Sequence, residues 1–183
     1  MNGNDIRAVL DSAELIHDEA AVEAAIDRLA ERIANDLADR MPLVLCVMIG
    51  GVVAAGRLLP KLGFPLQLDY LHATRYRGGT SGGDLVWLAR PRASLADRNV
   101  LIIDDILDEG YTLKGILDAC WEQGAKDVRT AVLVRKQHDR CVPGVRADYV
   151  GLEVDDRYVF GSGMDYKGYL RNAPGIYAAS EEK

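Results

Sequence analysis

Val100, Leu101, Ile102 and Ile103 form an unbroken apolar run that leads into three carboxylates, Asp104, Asp105 and Asp108, and then into a turn that a helix continues. Such a run is expected of a strand covered on both faces, as in a parallel sheet. Gly110 supplies a residue able to take positive φ. Thr112 stands where a helix cap would, before Leu113, Ile116, Leu117 and Cys120 take up a helical period. Strand, tight turn and helix N-terminus together aim backbone N–H groups and the positive end of a helix dipole at one point, which suits an anion. Residues Asp108 to Thr112 are therefore expected to wrap a phosphate. Adjacent carboxylates beside it repel each other unless a cation or hydroxyl donors offset the charge, so Asp104 and Asp105 point to ribose hydroxyls and magnesium.

The rest of the chain repeats the alternation of strand and helix. Val22, Ile26, Leu29, Ile33 and Leu37 recur at helical spacing behind Asp18 and Glu19. Leu43 to Ile49 reads as a strand running into Gly50 and Gly51, Val52 to Leu62 as a helix, and Pro65 to Thr74 as the next strand. Arg75 to Asp84, RYRGGTSGGD, is too rich in glycine to hold one shape. Leu85 to Leu88 reads as a short returning strand. A helix from Thr112 to Gln123 and strands at Val128 to Val134 and Tyr149 to Val154 complete the series. The pattern predicts an α/β fold, a parallel sheet flanked by helices, with ligands at the strand C-termini.

With 183 residues, 49% of them hydrophobic, the chain can bury one sizeable core, and residues 1–183 are read as a single domain. No apolar run approaches the ~20 residues of a membrane span, and the opening MNGNDIRAVL has no signal-peptide pattern, which predicts a cytoplasmic location without membrane contact. Cys46, Cys120 and Cys141 lack metal or redox spacing and read as buried thiols, and His17, His72 and His138 are scattered. A net charge of −6 argues against broad nucleic-acid affinity.

The stretch Ile102, Ile103, Asp104, Asp105, Ile106, Leu107, Asp108, Gly110 and Thr112 resembles the phosphoribosyl-pyrophosphate motif of the type I phosphoribosyltransferases. Glu109 stands where that family commonly has Thr or Ser, and Tyr111 where it has Lys or Asn. The resemblance implies the type I phosphoribosyltransferase fold: a core over about residues 18–150, a small hood formed by terminal segments, including about 151–183, and a flexible catalytic loop. Arg75 and Tyr76 occupy that loop and match the family's Ser-Tyr pair only at the tyrosine. Met48, Ile49, Gly50 and Gly51 occupy the pyrophosphate loop, with Gly51 matching the family glycine and Gly50 replacing a usual Lys or Arg.

The C-terminal third is similar to the hypoxanthine-guanine branch. Lys136, following the strand Ala131 to Val134, occupies the place of a lysine that donates to the purine 6-oxo group. Val154 to Tyr166, VDDRYVFGSGMDY, matches the branch pattern. By that likeness Tyr158 stacks on the base, the Val159 backbone meets its edge, Asp165 binds a second magnesium and Arg171 reaches pyrophosphate. Asp104 and Asp105 hold the ribose and its metal. The turn of Asp108, Glu109, Gly110, Tyr111 and Thr112 holds the 5-phosphate, and Asp108 accepts a proton from purine N7. The resemblance thus implies a magnesium-dependent purine-salvage enzyme that joins phosphoribosyl pyrophosphate to hypoxanthine or guanine and works as a homodimer or homotetramer. A xanthine preference is a neighbouring reading that sequence leaves open. A regulator that senses phosphoribosyl pyrophosphate is the other open reading; it calls for a basic face or a DNA-binding module, and the acidic balance and length weigh against it. A Walker-type hydrolase calls for a Gly-Lys-Ser or Gly-Lys-Thr turn that is absent.

Overall fold

A computed structural model describes residues 3–75 and 85–180, without the side chains of Asn4 and Arg75. Tyr76 and the remainder of the expected catalytic loop lie outside the described residues. The elements run α1 (Gly3–Ser12), β1 (Glu14–His17), α2 (Glu19–Leu37), β2 (Leu43–Val47), α3 (Gly51–Leu58), β3 (Gln67–Arg75), β4 (Leu85–Ala89), β5 (Asn99–Leu107), α4 (Tyr111–Glu122), β6 (Asp127–Gln137), β7 (Tyr149–Asp155), β8 (Val159–Phe160) and β9 (Ile176–Ala178).

Six strands form the main sheet in the order β4-β3-β2-β5-β6-β7. All neighbours in it are parallel except β4, which returns antiparallel along β3. Alternation along β2 decides which helices cover which face. Val44 and Cys46 join Ile26, Leu29 and Ile33 of α2 and Ala54 and Leu58 of α3, while Leu43, Leu45 and Val47 join Leu113, Ile116 and Cys120 of α4. The helical period of α2 begins at Asp18, whose carboxylate accepts the Ala21 N–H at 2.8 Å. The chain steps outward from β2 to β3 and then re-enters on the other side at β5. This reversal opens a crevice at the strand C-termini between β2 and β5.

A second sheet, β1-β9-β8, is antiparallel and draws on both ends of the chain. Phe160 stacks on Tyr177 at 5.6 Å and packs with Ile6 and Tyr166 to form its own small core. No described helix is long and apolar enough to cross a membrane.

Several boundaries differ from those read in the sequence. The helix expected to reach Leu62 is α-helical only to Leu58, and Leu59–Lys61 tighten into a 3-10 turn, because Pro60 has no N–H to continue the ladder. β2 ends at Val47 rather than Ile49, and the Met48–Ile49 peptide is cis. β5 and β6 run beyond the apolar segments: Ile106 pairs with Val134 and Lys136 with Val154. Main-chain pairing continues where the side chains have turned polar, which hydrophobicity does not register. The short strands β1, β8 and β9 carry too few residues for a readable period, and the ten-residue helix α1 went unread in the sequence.

Candidate active site

The crevice beyond β2 and β5 is a cavity of about 500 Å³ whose walls include Gly50, Asp104, Asp105, the turn from Asp108 to Thr112, Asp165 and Arg171. The main chain of Gly110 takes φ +82°, and a Cβ there would meet Val145, Cys141 and Leu107 at 3.0–3.3 Å, so both conformation and space require glycine. Gly110 is also the N-cap of α4 and contributes no side-chain cap. Thr112, read as the cap, is the second residue inside the helix; the left-handed glycine starts α4 two residues earlier than the hydroxyl suggests. The first turn of α4 borders the crevice with its positive dipole end.

Asp105 is buried, and its Oδ1 accepts the Ile106 N–H at 2.8 Å; Asp104 Oδ1 accepts the Asp105 N–H at 2.9 Å. Burial raises both carboxyl pKa values, and the charge of Asp105 pushes Asp104 well up. Two hard oxygen donors that cannot ionise together cheaply are a donor set suited to a divalent cation. Burial and the same two aspartates push the Cys46 thiol up to about 11, which leaves it a packing residue.

Arg171 spans the mouth of the crevice. Its Nη1 donates to the Gly163 carbonyl at 2.7 Å and lies 3.8 Å from Asp105 Oδ2, and its Nη2 donates to Asp165 Oδ1 at 2.6 Å. Asp165 Oδ2 accepts the Gly168 N–H at 2.7 Å. Gly50 is pressed against the acidic pair, since a Cβ there would stand 2.0 Å from Asp105 Oδ2. The missing family lysine assigned to Gly50 therefore has no room at that position, and the exposed side chain bordering the crevice in this loop is Ile49. Gly51, expected at pyrophosphate, is not in the crevice wall; it lets α3 approach β5, with its Cβ position 2.7 Å from the Ile103 carbonyl. The side chain of Arg75 and all of Tyr76 lie outside the described residues. His72 and Thr74 of β3 line the crevice, although nothing in their sequence context marks them.

A second cavity of about 160 Å³ adjoins the first, shares Asp105, Ile106, Asp108 and Asp165 with it, and adds Lys136, Tyr158, Val159 and Met164. Asp108 stands on the common wall. Its Oδ2 receives Lys136 Nζ at 2.7 Å and its Oδ1 faces His138 Nε2 at 2.7 Å. Burial works to raise the Asp108 pKa, but these two hydrogen bonds outweigh it and hold the carboxyl below its ordinary range. Lys136 lies within β6 rather than after it. Tyr158 is exposed, meets Tyr166 edge to face at 5.4 Å, and donates its hydroxyl to the Asp165 carbonyl at 3.3 Å. Glu109, whose carboxylate departs from the family pattern, lies 3.9 Å from Arg140 Nε. The sequence reading also passed over His138; its spacing of two from Lys136, at the end of a strand, was the available signal.

A family model described as the phosphoribosyl transferase domain matches residues 12–167. The chain belongs to the phosphoribosyltransferase family. Among its relatives, the hypoxanthine-guanine phosphoribosyltransferase of Streptococcus pneumoniae is 31% identical over 180 residues, 98% of this chain and 96% of that protein. That likeness places the chain in the hypoxanthine-guanine branch of the phosphoribosyltransferases. A hypoxanthine phosphoribosyltransferase from Staphylococcus aureus superposes with a TM-score of 0.87 at 25% identity, covering 98% of this chain and 96% of that one. The Trypanosoma cruzi hypoxanthine phosphoribosyltransferase, solved as a mutant with its product IMP, superposes at 0.85 with 26% identity and 92% of each chain covered.

Proposed function

We propose that this chain transfers ribose 5-phosphate from phosphoribosyl pyrophosphate to N9 of hypoxanthine or guanine, giving IMP or GMP and pyrophosphate. The observation that carries this reading is the common wall between the two cavities: a carboxylate, Asp108, stands between an anion-binding turn and a smaller pocket edged by Lys136 and Tyr158. The names and contents of the relatives, including one solved with IMP, support the same assignment.

In this mechanism the turn from Asp108 to Thr112 anchors the 5-phosphate through main-chain N–H groups, and Asp104 and Asp105 accept hydrogen bonds from the ribose hydroxyls, so the anomeric carbon faces the base pocket. Asp104, Asp105 and Asp165 would hold magnesium, which when bound would lower the charge cost of the departing pyrophosphate. Arg171 steadies the same leaving group. Lys136 donates to the 6-oxo group, Tyr158 covers the ring and the Val159 main chain borders its edge. Asp108, ionised at neutral pH, accepts the proton of purine N7 as the bond to N9 forms. Exposed Leu68, Tyr70, Val86 and Leu88 on β3 and β4 support association into a homodimer or homotetramer, which light scattering tests.

The deciding experiment is nucleotide formation from phosphoribosyl pyrophosphate with hypoxanthine, guanine, xanthine and adenine, with and without magnesium. Magnesium-dependent IMP and GMP formation with little AMP is expected. Absence of product from every 6-oxopurine overturns the proposal, and XMP as the main product moves it to a xanthine preference.

A further inference from the structure

We propose that His138 is a positioning residue for the transfer reaction, holding the Asp108 carboxylate in place when Lys136 turns to the base. The assignment rests on the phosphoribosyl-transfer reading above. The His138 side chain is only 4% exposed, just beyond the end of β6, and its Nε2 is 2.7 Å from Asp108 Oδ1. Its other nitrogen, Nδ1, accepts the main-chain N–H of Arg140 at 3.1 Å. A nitrogen that accepts carries no proton, so the ring proton sits on Nε2 and is donated to Asp108.

Arg140, which selects this tautomer, is itself fixed. Its Nη1 and Nη2 grip Asp156 at 2.5 and 2.9 Å, and its Nε lies 3.9 Å from Glu109. A continuous set of contacts thus runs from the end of β7, through Asp156, Arg140 and His138, to Asp108. Asp108, His138 and Asp156 bring ligand atoms within 4.8 Å of one another, as a metal site would. Lys136 and Arg140 already match the two carboxylates, so the cluster needs no cation.

The two partners of Asp108 have different freedom. Lys136 carries its ammonium on a flexible stem and has a second acceptor to serve, the purine 6-oxo group. His138 is a buried ring with both nitrogens engaged, so its hold on Oδ1 does not change when the base arrives. Asp108 needs that second hold because one hydrogen bond leaves its carboxylate free to rotate away from N7.

The test uses the intact protein with His138→Phe, which removes the donor, and His138→Gln, whose amide N–H reaches close to the Nε2 position. For His138→Phe, kcat is expected to fall about 10- to 100-fold, the loss appropriate to a hydrogen bond to a charged group. The KM for phosphoribosyl pyrophosphate should stay unchanged, while the Tm should fall through the two hydrogen bonds lost with the ring. His138→Gln should recover most of the rate. Nitrogen NMR of the wild type reads the tautomer without any substitution and should report Nε2–H. Wild-type kcat in His138→Phe, no rescue by glutamine, or a proton found on Nδ1 each overturns the assignment. A wild type that forms no IMP overturns the functional reading itself, and this assignment with it.

Discussion

Lys136 Nζ lies 2.7 Å from Asp108 Oδ2, a contact that ties β6 to the turn after β5. It helps explain why Asp108, although partly buried, keeps its negative charge, and it sets the cation we propose to recognise the base beside the carboxylate we propose to receive the base's proton.

Replacing Asp108 by asparagine removes the proton acceptor while keeping its shape. We expect kcat for IMP formation to drop by ~10²–10⁴ with the circular dichroism spectrum unchanged. Undiminished turnover by this variant eliminates Asp108 from the chemistry.

Lys136→Ala should shift the acid side of the pH profile. Asp108 titrates below its ordinary value of 3.8 in the folded chain, so the stability it contributes is present above that pH and is lost as pH falls through the folded value. Without Lys136 the folded value rises, and activity should begin to fall at a higher pH than in the wild type. The same variant should discriminate less between hypoxanthine and adenine. Superposable acid limbs and an unchanged base preference speak against both roles.

The Asp104–Asp105 pair has the opposite sign. Raised folded values mean that the pair contributes stability below the ordinary 3.8 and loses it as pH rises through the folded values. Asp104→Asn should therefore raise Tm at neutral pH, by about 2–4 °C for each kcal/mol of relieved repulsion, while abolishing tight phosphoribosyl-pyrophosphate binding. Magnesium should raise the wild-type Tm more at pH 7.5 than at pH 4.5. These pH values lie about 3.7 and about 0.7 units above the ordinary carboxyl value of 3.8. A Tm insensitive to both changes contradicts this account.

Gly50→Ala should act on Asp105 without unfolding the chain. The added methyl would lie 2.0 Å from Oδ2, so the carboxylate must move by roughly an ångström, a displacement that can cost ~10²-fold in rate. Calorimetry and steady-state kinetics should show a near-normal Tm beside a large loss in kcat/KM for phosphoribosyl pyrophosphate.

Tyr158→Ala should leave the sugar side untouched. Stacking of a base on an aromatic ring contributes about 1–3 kcal/mol, so the KM for hypoxanthine is expected to rise roughly tenfold or more, with that for phosphoribosyl pyrophosphate constant. Equal changes in both constants would count against a stacking role.

The framework was legible because its signals are local. The run from Val100 to Ile103, the period of Val22 to Leu37 and the glycine at position 110 each state their structure within a few residues. Family likeness then placed Asp104, Asp105, Lys136, Tyr158 and Arg171, which the structure brings to two adjoining cavities. What escaped depends on contacts between distant segments. Gly50 reads as a pyrophosphate-loop residue that lacks the family's cation, and its closeness to Asp105 shows only in the folded chain. His138 reads as one of three scattered histidines until the end of β6 carries it past Lys136 to face Asp108. The hood strands are two to four residues long and are defined by their partners rather than by their own composition.

β9 lies between β1 and β8, so among the described strands β1 is joined to β8 in one sheet through residues 176–178. β1 therefore gains its strand partner only when residues 176–178 have docked beside it. Val159, which borders the smaller cavity, lies on β8 and pairs with Ala178. The wall of the smaller cavity is thereby coupled to the docking of residues 176–178, and a chain cut just before them should keep the larger crevice while Val159 loses its strand partner.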